Sequence, residues 1–204
     1  MLTLTQKIEL INVLRKNRSL IDATNEANGA NADNLYKEYC GDKRIVLGDL
    51  FIGNFRVSQI FGVNKANYIK YGLQGHDGVD FACPTGTQLI APFDGMIISV
   101  KNSGSAGYGY HVKIWNKKNA CVLYGHMKSV NVKLWQTVKL GQLIGLSDNT
   151  GNSTGPHLHL GLCLTNLLGY RLNQNNGFLG WVNPQDETLV KWVITNPKTA
   201  LSGS

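Results

Sequence analysis

The chain has 204 residues, 43% of them hydrophobic, which is enough for one packed domain with a small appendage and excludes wholesale disorder. With 23 glycines and only 16% charged residues, the composition leans to a turn-rich β protein rather than a helical bundle. The net charge is +7, and the stretch from Gly95 to Ser147 carries Lys101, Lys113, Lys117, Lys118, Lys128, Lys133 and Lys139 without one acid. Such a patch suits a polyanion or an acidic cell wall. No nucleic-acid-binding motif accompanies it, and no run is long and apolar enough to span a membrane.

Along the chain, residues 1–46 read as a helical appendage or anchor. Leu4, Ile8, Ile11 and Leu14 fall at helical spacing, and Thr3 with Gln6 makes a candidate capping box. A second helix is predicted over Leu20 to Ala27, and a third from an Asn31 cap to Cys40. The start has no basic, apolar secretory leader. From about Leu47 the pattern changes to short strands between glycine-rich turns: RVSQIFG, GVDFACP, TQLIAPF, GMIISVKN, YHVKIWN, CVLYGHM and HLHLGLCL. Many short strands without alternating helices predict a mainly β fold, an antiparallel sandwich or partly closed barrel, over residues 47–186. Residues 187–204 are expected to form a tail. Cys40, Cys83, Cys121 and Cys163 show no C-x-x-C spacing and read as separate buried thiols.

Three histidine motifs carry the chemistry. His76-Asp77-Gly78-Val79-Asp80 places two metal-donor types four residues apart. An extended strand would separate them by about 13 Å. If both hold one metal, the chain bends between them, and Gly78 permits the bend. In Gly155-Pro156-His157-Leu158-His159-Leu160 the two imidazoles share one strand face, as two ligands or as a ligand beside a catalytic partner. His126 closes a strand in Leu123-Tyr124-Gly125-His126-Met127, while His111 reads as a surface or packed residue. There is no G-x-S-x-G elbow and no H-E-x-x-H helix, and the β region holds few acids for a glycosidase pair.

In order, these pieces resemble the lysostaphin/LytM-type zinc metalloendopeptidases, marked by H-x-G-[VI]-D, Y-[AG]-H-[LM] and S-T-G-P-H-L-H. Here they stand as His76 to Asp80, Tyr124 to Met127 and Ser153 to His159, with Ala91-Pro92-Phe93-Asp94-Gly95, Gly107-Tyr108-Gly109 and Val182-Asn183-Pro184 as further matches. The resemblance runs from about residue 55 to 184 and implies the lysostaphin-type peptidase fold. It also implies one zinc per chain on His76, Asp80 and His159, with His126 and His157 serving catalysis; which of these two is the general base stays open. Three protein ligands leave a position for water, which zinc acidifies to a pKa of about 7. The implied activity is hydrolysis of peptide bonds in bacterial peptidoglycan, in stem peptides or cross-bridges. With no leader visible, the expected setting is a phage-encoded wall-degrading protein, released at lysis or carried in the virion, with residues 1–46 joining a tail or other virion protein. The substrate-binding residues are not legible. Two rivals are an envelope-binding module without turnover and a carrier domain of the biotinyl or phosphotransfer kind; biotinyl and lipoyl carriers need a presented lysine turn, and none appears here.

Overall fold

The computed structural model describes residues 44–193, and the three helices predicted over Thr3 to Cys40 lie outside that range. The described part is a β structure of thirteen strands with one four-residue helix and one 3-10 turn. No helix in it is long and apolar enough to cross a membrane. Strand β1 (Ile45–Leu47) pairs in parallel with β13 (Val190–Trp192). The large sheet runs in the order β2 (Val57–Gln59), β3 (Val79–Phe81), β11 (Leu158–Leu164), β7 (Ala120–Gly125), β6 (Tyr110–Trp115), β5 (Gly95–Asn102), β9 (Thr137–Val138). Its short companion β12 (Trp181–Val182) pairs with β11. A second sheet has the order β4 (Gln88–Ile90), β10 (Leu143–Ser147), β8 (Met127–Val130). All strand pairs of both sheets are antiparallel, and the large sheet ends at β2 and β9 without closing, so the fold is the sandwich rather than a barrel.

Each of the seven strands read from the sequence is present, GMIISVKN with its full span at Gly95–Asn102. The loop before β3 adds a helix, α1 (Lys65–Tyr68), and a 3-10 turn (Ile69–Tyr71), which the sequence reading did not contain. The β1–β13 pair lies outside the 47–186 span at both ends: Ile45 precedes it and Val190 follows it, yet both are buried.

Strand β11 fixes the architecture. All seven of its residues are buried, because Leu158, Leu160 and Leu162 face one side and His159, Gly161 and Cys163 the other. The leucine side shares its face with Tyr124 and Val122, and the Tyr124 hydroxyl donates to the Ile90 carbonyl of β4, tying the two sheets together. On the opposite side Trp181 closes over Gly161, where a Cβ would come within 2.9 Å of the indole. Each fully buried leucine contributes roughly 1.5–3 kcal/mol relative to exposure. A one-residue slip would turn all three leucines, and His159 with them, to the wrong face, so the core locks the register of the site.

Cys121 and Cys163 are buried free thiols, but they are not separate: they stand directly opposite each other across β7 and β11. Cys83 is also buried and free, and Cys40 lies outside the described residues.

Candidate metal centre

The site forms where β3, β11 and β7 meet. Ladder register sets His159 directly opposite Asp80 on one side and Gly125 on the other. Directly opposed residues on one face have Cβ atoms about 4.5–5.5 Å apart, so two donors reach one point without any special loop. His76 arrives from the loop before β3, held by backbone bonds from its N–H to Val63 O at 2.9 Å and from Gly62 N–H to its own carbonyl at 2.8 Å. These ties bring His76 Nε2 to 3.2 Å from Asp80 Oδ1 and 3.0 Å from His159 Nδ1, which is itself 3.0 Å from Asp80 Oδ1.

Gly78 lies in the bend expected of it and has a second reason besides. Its φ is not in the left-handed region. A Cβ there would come within 2.5 Å of the Leu160 carbonyl oxygen and 2.6 Å of His159 Cε1. The glycine makes room for the imidazole. Gly125 does so on the other flank, where a Cβ would stand 3.3 Å from that of His159.

Two imidazole nitrogens and one carboxylate oxygen thus converge, all three residues buried. His76 Nδ1 donates to the Ile60 carbonyl at 3.2 Å, which leaves its Nε2 lone pair on the convergence point. Burial alone would raise the Asp80 carboxyl, but the adjoining His159 and His76 rings hold it well below the usual range, so it is an anion. A tetrahedral zinc with bonds of about 2.0–2.1 Å requires donors roughly 3.3 Å apart. The donor set, its charge and its spacing fit that ion.

The other two histidines flank this point. His126 sits alone between β7 and β8, at φ 59°, where the chain leaves the large sheet for the small one. Its Nδ1 donates to Thr150 O at 2.6 Å, freeing Nε2 as an acceptor. Burial, then the neighbouring His159 and His157, push its pKa down to about 4, so it is neutral near pH 7. His157 Nδ1 donates to Gly155 O at 2.8 Å, and its Nε2 stands 3.6 Å from Asp80 Oδ2. The two rings lie 4.6 Å apart between centroids. The loop between them is pinned by Asp148, whose N–H donates to His126 O and whose carbonyl accepts from His157 N–H. All five singled-out residues therefore come together, while His111 is buried in β6, donating from Nδ1 to Gly109 O at 2.9 Å.

A left-handed residue other than glycine costs roughly 1–2 kcal/mol. His126→Gly is therefore expected to be more thermostable than His126→Ala by about 1 kcal/mol, since both lose the imidazole and only glycine relieves the backbone. Equal melting temperatures for the pair would refute this.

Sequence reasoning missed three participants. Asp77 is buried at 4% exposure, its carboxylate accepting a short hydrogen bond from the Tyr108 hydroxyl. Burial and the Asp77 charge push the Tyr108 phenol well up, so it stays a donor. Tyr68 packs its ring 5.4 Å from His76 and accepts from Gln59 Nε2 at 2.9 Å. Asp77 and Tyr108 each stood inside a quoted motif, but nothing local links two residues 31 positions apart.

Comparison with known proteins gives the family. Residues 74–167, which span all five site residues, match Peptidase family M23. Peptidoglycan DD-endopeptidase ShyA of Vibrio cholerae is 37% identical over 105 residues, covering 52% of this chain and 24% of that protein. The catalytic domain of EnpA, a prophage-encoded M23 protein of Enterococcus faecalis, is 35% identical over 60% of this chain and 90% of that one, with a TM-score of 0.48. Lysostaphin from Staphylococcus simulans is 27% identical over 68% of this chain and 50% of its own, with a TM-score of 0.53. The chain spans only about a quarter of the length of the curated relatives it matches, for example 28% and 22% of two uncharacterised metalloproteases. Residues 74–167 of this chain thus form a domain of peptidase family M23.

Proposed function

We propose that the chain is a zinc-dependent endopeptidase that hydrolyses peptide bonds in bacterial peptidoglycan, in stem peptides or cross-bridges. One observation carries the reading: three donors 3.0–3.2 Å apart, with two further imidazoles beside them whose Nδ1 atoms are both bonded away to carbonyls. His76, Asp80 and His159 are the proposed ligands of one zinc. A zinc held there supplies Lewis acidity, polarising a carbonyl and making water a nucleophile near neutral pH. His126 and His157 then have free Nε2 atoms to take a proton from the attacking water and return it to the leaving amine. The low pKa of His126 makes it a hydrogen-bond acceptor near neutrality and a weak base. The wall substrate is supported by the relatives: ShyA is a peptidoglycan DD-endopeptidase, and ALE-1 of Staphylococcus capitis, 42% identical over 93 residues, is a glycyl-glycine endopeptidase. Six of the seven lysines between Gly95 and Ser147 are exposed, as an acidic wall polymer would require.

The test is metal removal. The purified protein is expected to contain about one zinc per chain and to release peptide fragments from purified peptidoglycan, with activity lost in strong chelator and restored by zinc. Full hydrolysis by metal-free protein would end the reading. Mass spectrometry of the fragments identifies the bond.

On the same reading the protein is phage-encoded, and residues 1–46, which precede the matched segment and carry Leu4, Ile8, Ile11 and Leu14, attach it to a tail or other virion protein. Removing residues 1–43, which stops short of β1, is expected to leave hydrolysis of soluble wall peptides intact while abolishing virion association. Virion association that survives the deletion would refute the attachment.

A further inference from the structure

A buried carboxylate beside the donors has no part in the scheme above. Asp77 is almost as inaccessible as the donors, yet its Oδ1 stands 3.8 Å from His159 Nε2 on the far side of that ring from the convergence point. His159 Nε2 is fully buried and has no hydrogen-bond partner. The other oxygen, Oδ2, accepts from Tyr108. Three elements supply this row: Asp77 from the loop before β3, Tyr108 from the turn before β6, and His159 from β11.

The donor chemistry of the site gives the row its meaning. His159 offers Nδ1 to the metal position, 3.0 Å from both other donors. A nitrogen that coordinates a cation has no proton, so the ring's single proton must sit on Nε2. That places an N–H in a dry pocket whose neighbouring anion is Asp77. The 3.8 Å gap is too short for a water between them; it is longer than a hydrogen bond but within ion-pair distance, so the carboxylate acts on the N–H through its charge. Only glycine at position 78 lets the two approach, since a Cβ there would sit 2.8 Å from Nε2. Tyr108 lies between Gly107 at φ 50° and Gly109 at φ 58°, and its ring stacks 5.2 Å from that of His159.

We propose that Asp77, held in place by the Tyr108 hydroxyl, is a positioning residue for the metal centre. It fixes His159 as the Nε2–H tautomer with its Nδ1 lone pair on the metal, and it makes that nitrogen a stronger donor. Without it, Asp80 Oδ1, 3.0 Å from Nδ1, favours the tautomer that turns its proton toward the cation position. The inference rests on the zinc reading of His76, Asp80 and His159 and deepens it.

The test uses the full chain as wild type, Asp77→Asn and Tyr108→Phe. Zinc affinity is read by competition with a chromophoric chelator, the ring proton of zinc-loaded His159 by nitrogen-15 NMR, and folding by thermal unfolding of metal-free protein. Wild type should bind one zinc and show a slowly exchanging proton on Nε2. Asp77→Asn, nearly isosteric, should bind zinc about 10–100-fold more weakly and lose the slow exchange of that proton. Tyr108→Phe should move both readouts in the same direction by less, and it serves if Asp77→Asn does not fold. Affinity and proton exchange equal to wild type in both folded variants overturn the proposal. So does a weakening that only follows the loss of folded protein. A wild type that binds no zinc overturns the zinc reading beneath it, a different result from zinc bound equally by all three.

Discussion

Replacing His126 or His157 by alanine is expected to leave about one zinc per chain and to slow peptidoglycan solubilisation by roughly 10²–10⁴-fold. The donor triangle of His76, Asp80 and His159 is complete without either ring. His126 hangs on Thr150 O and His157 on Gly155 O, so each substitution removes a positioned Nε2 and leaves the three donors untouched. His159→Ala should lose both metal and activity, because the residues facing it, Asp80 and Gly125, cannot substitute a nitrogen. His111→Ala is the control: its ring bonds to Gly109 and lies outside the donor cluster, so zinc content and rate should stay near wild type. Zinc stoichiometry beside solubilisation rate for the four variants decides the roles. Full activity in both His126→Ala and His157→Ala would remove the proton-handling assignment. Metal lost from His157→Ala but kept by His159→Ala would exchange ligand and partner.

Gly78→Ala should damage the centre as severely as loss of a donor, although position 78 contributes no donor atom. The added methyl would meet a backbone carbonyl at 2.5 Å and the ligand ring at 2.6 Å, and neither can retreat without opening the β3–β11 ladder. Overpacking of this kind costs typically about 1–3 kcal/mol, and displacement of His159 from the triangle should abolish tight zinc binding. Gly155→Ala is the matched comparison for folding and zinc affinity, since a Cβ there meets nothing within 4 Å and its φ is not left-handed. Zinc competition and thermal unfolding should separate the two glycines clearly. Similar behaviour would show that the steric argument fails.

What could be read from the sequence divides along the range of the interactions. Strand β5 follows from its own residues, and His157 and His159 declared themselves as a pair because a strand's period is two. Strand β10 was hidden by Gly145, which looks like a breaker until the Ser129 carbonyl is found 2.2 Å from where its Cβ would be. The partnership of Asp77 with Tyr108, and the strain at His126, depend on where distant segments meet, which no local period encodes. Gly78 was correctly singled out for the bend, but its second role, making room for the His159 ring, could not be read locally. Glycine is informative in a sequence, but whether it serves a turn or a close approach is decided by what packs against it. The cysteines follow the same rule: their types predicted burial, and only the β7–β11 register made two of them neighbours.

The parallel pair β1–β13 bears on how this body can be joined to other chains. Ile45 lies opposite Val190 and Leu47 opposite Trp192, with Val193 N–H donating to Leu47 O. The points where the polypeptide comes into and goes out of the sandwich are therefore separated by the length of one short strand, roughly 10 Å. A linker of a few residues can bridge that gap, so the body should tolerate circular permutation, with new termini opened in an exposed turn such as Ser103 to Ala106. It should equally tolerate grafting into a surface loop of a carrier protein, spreading the host loop by no more than one strand's length and leaving the metal-site edge of β3, β11 and β7 uncut.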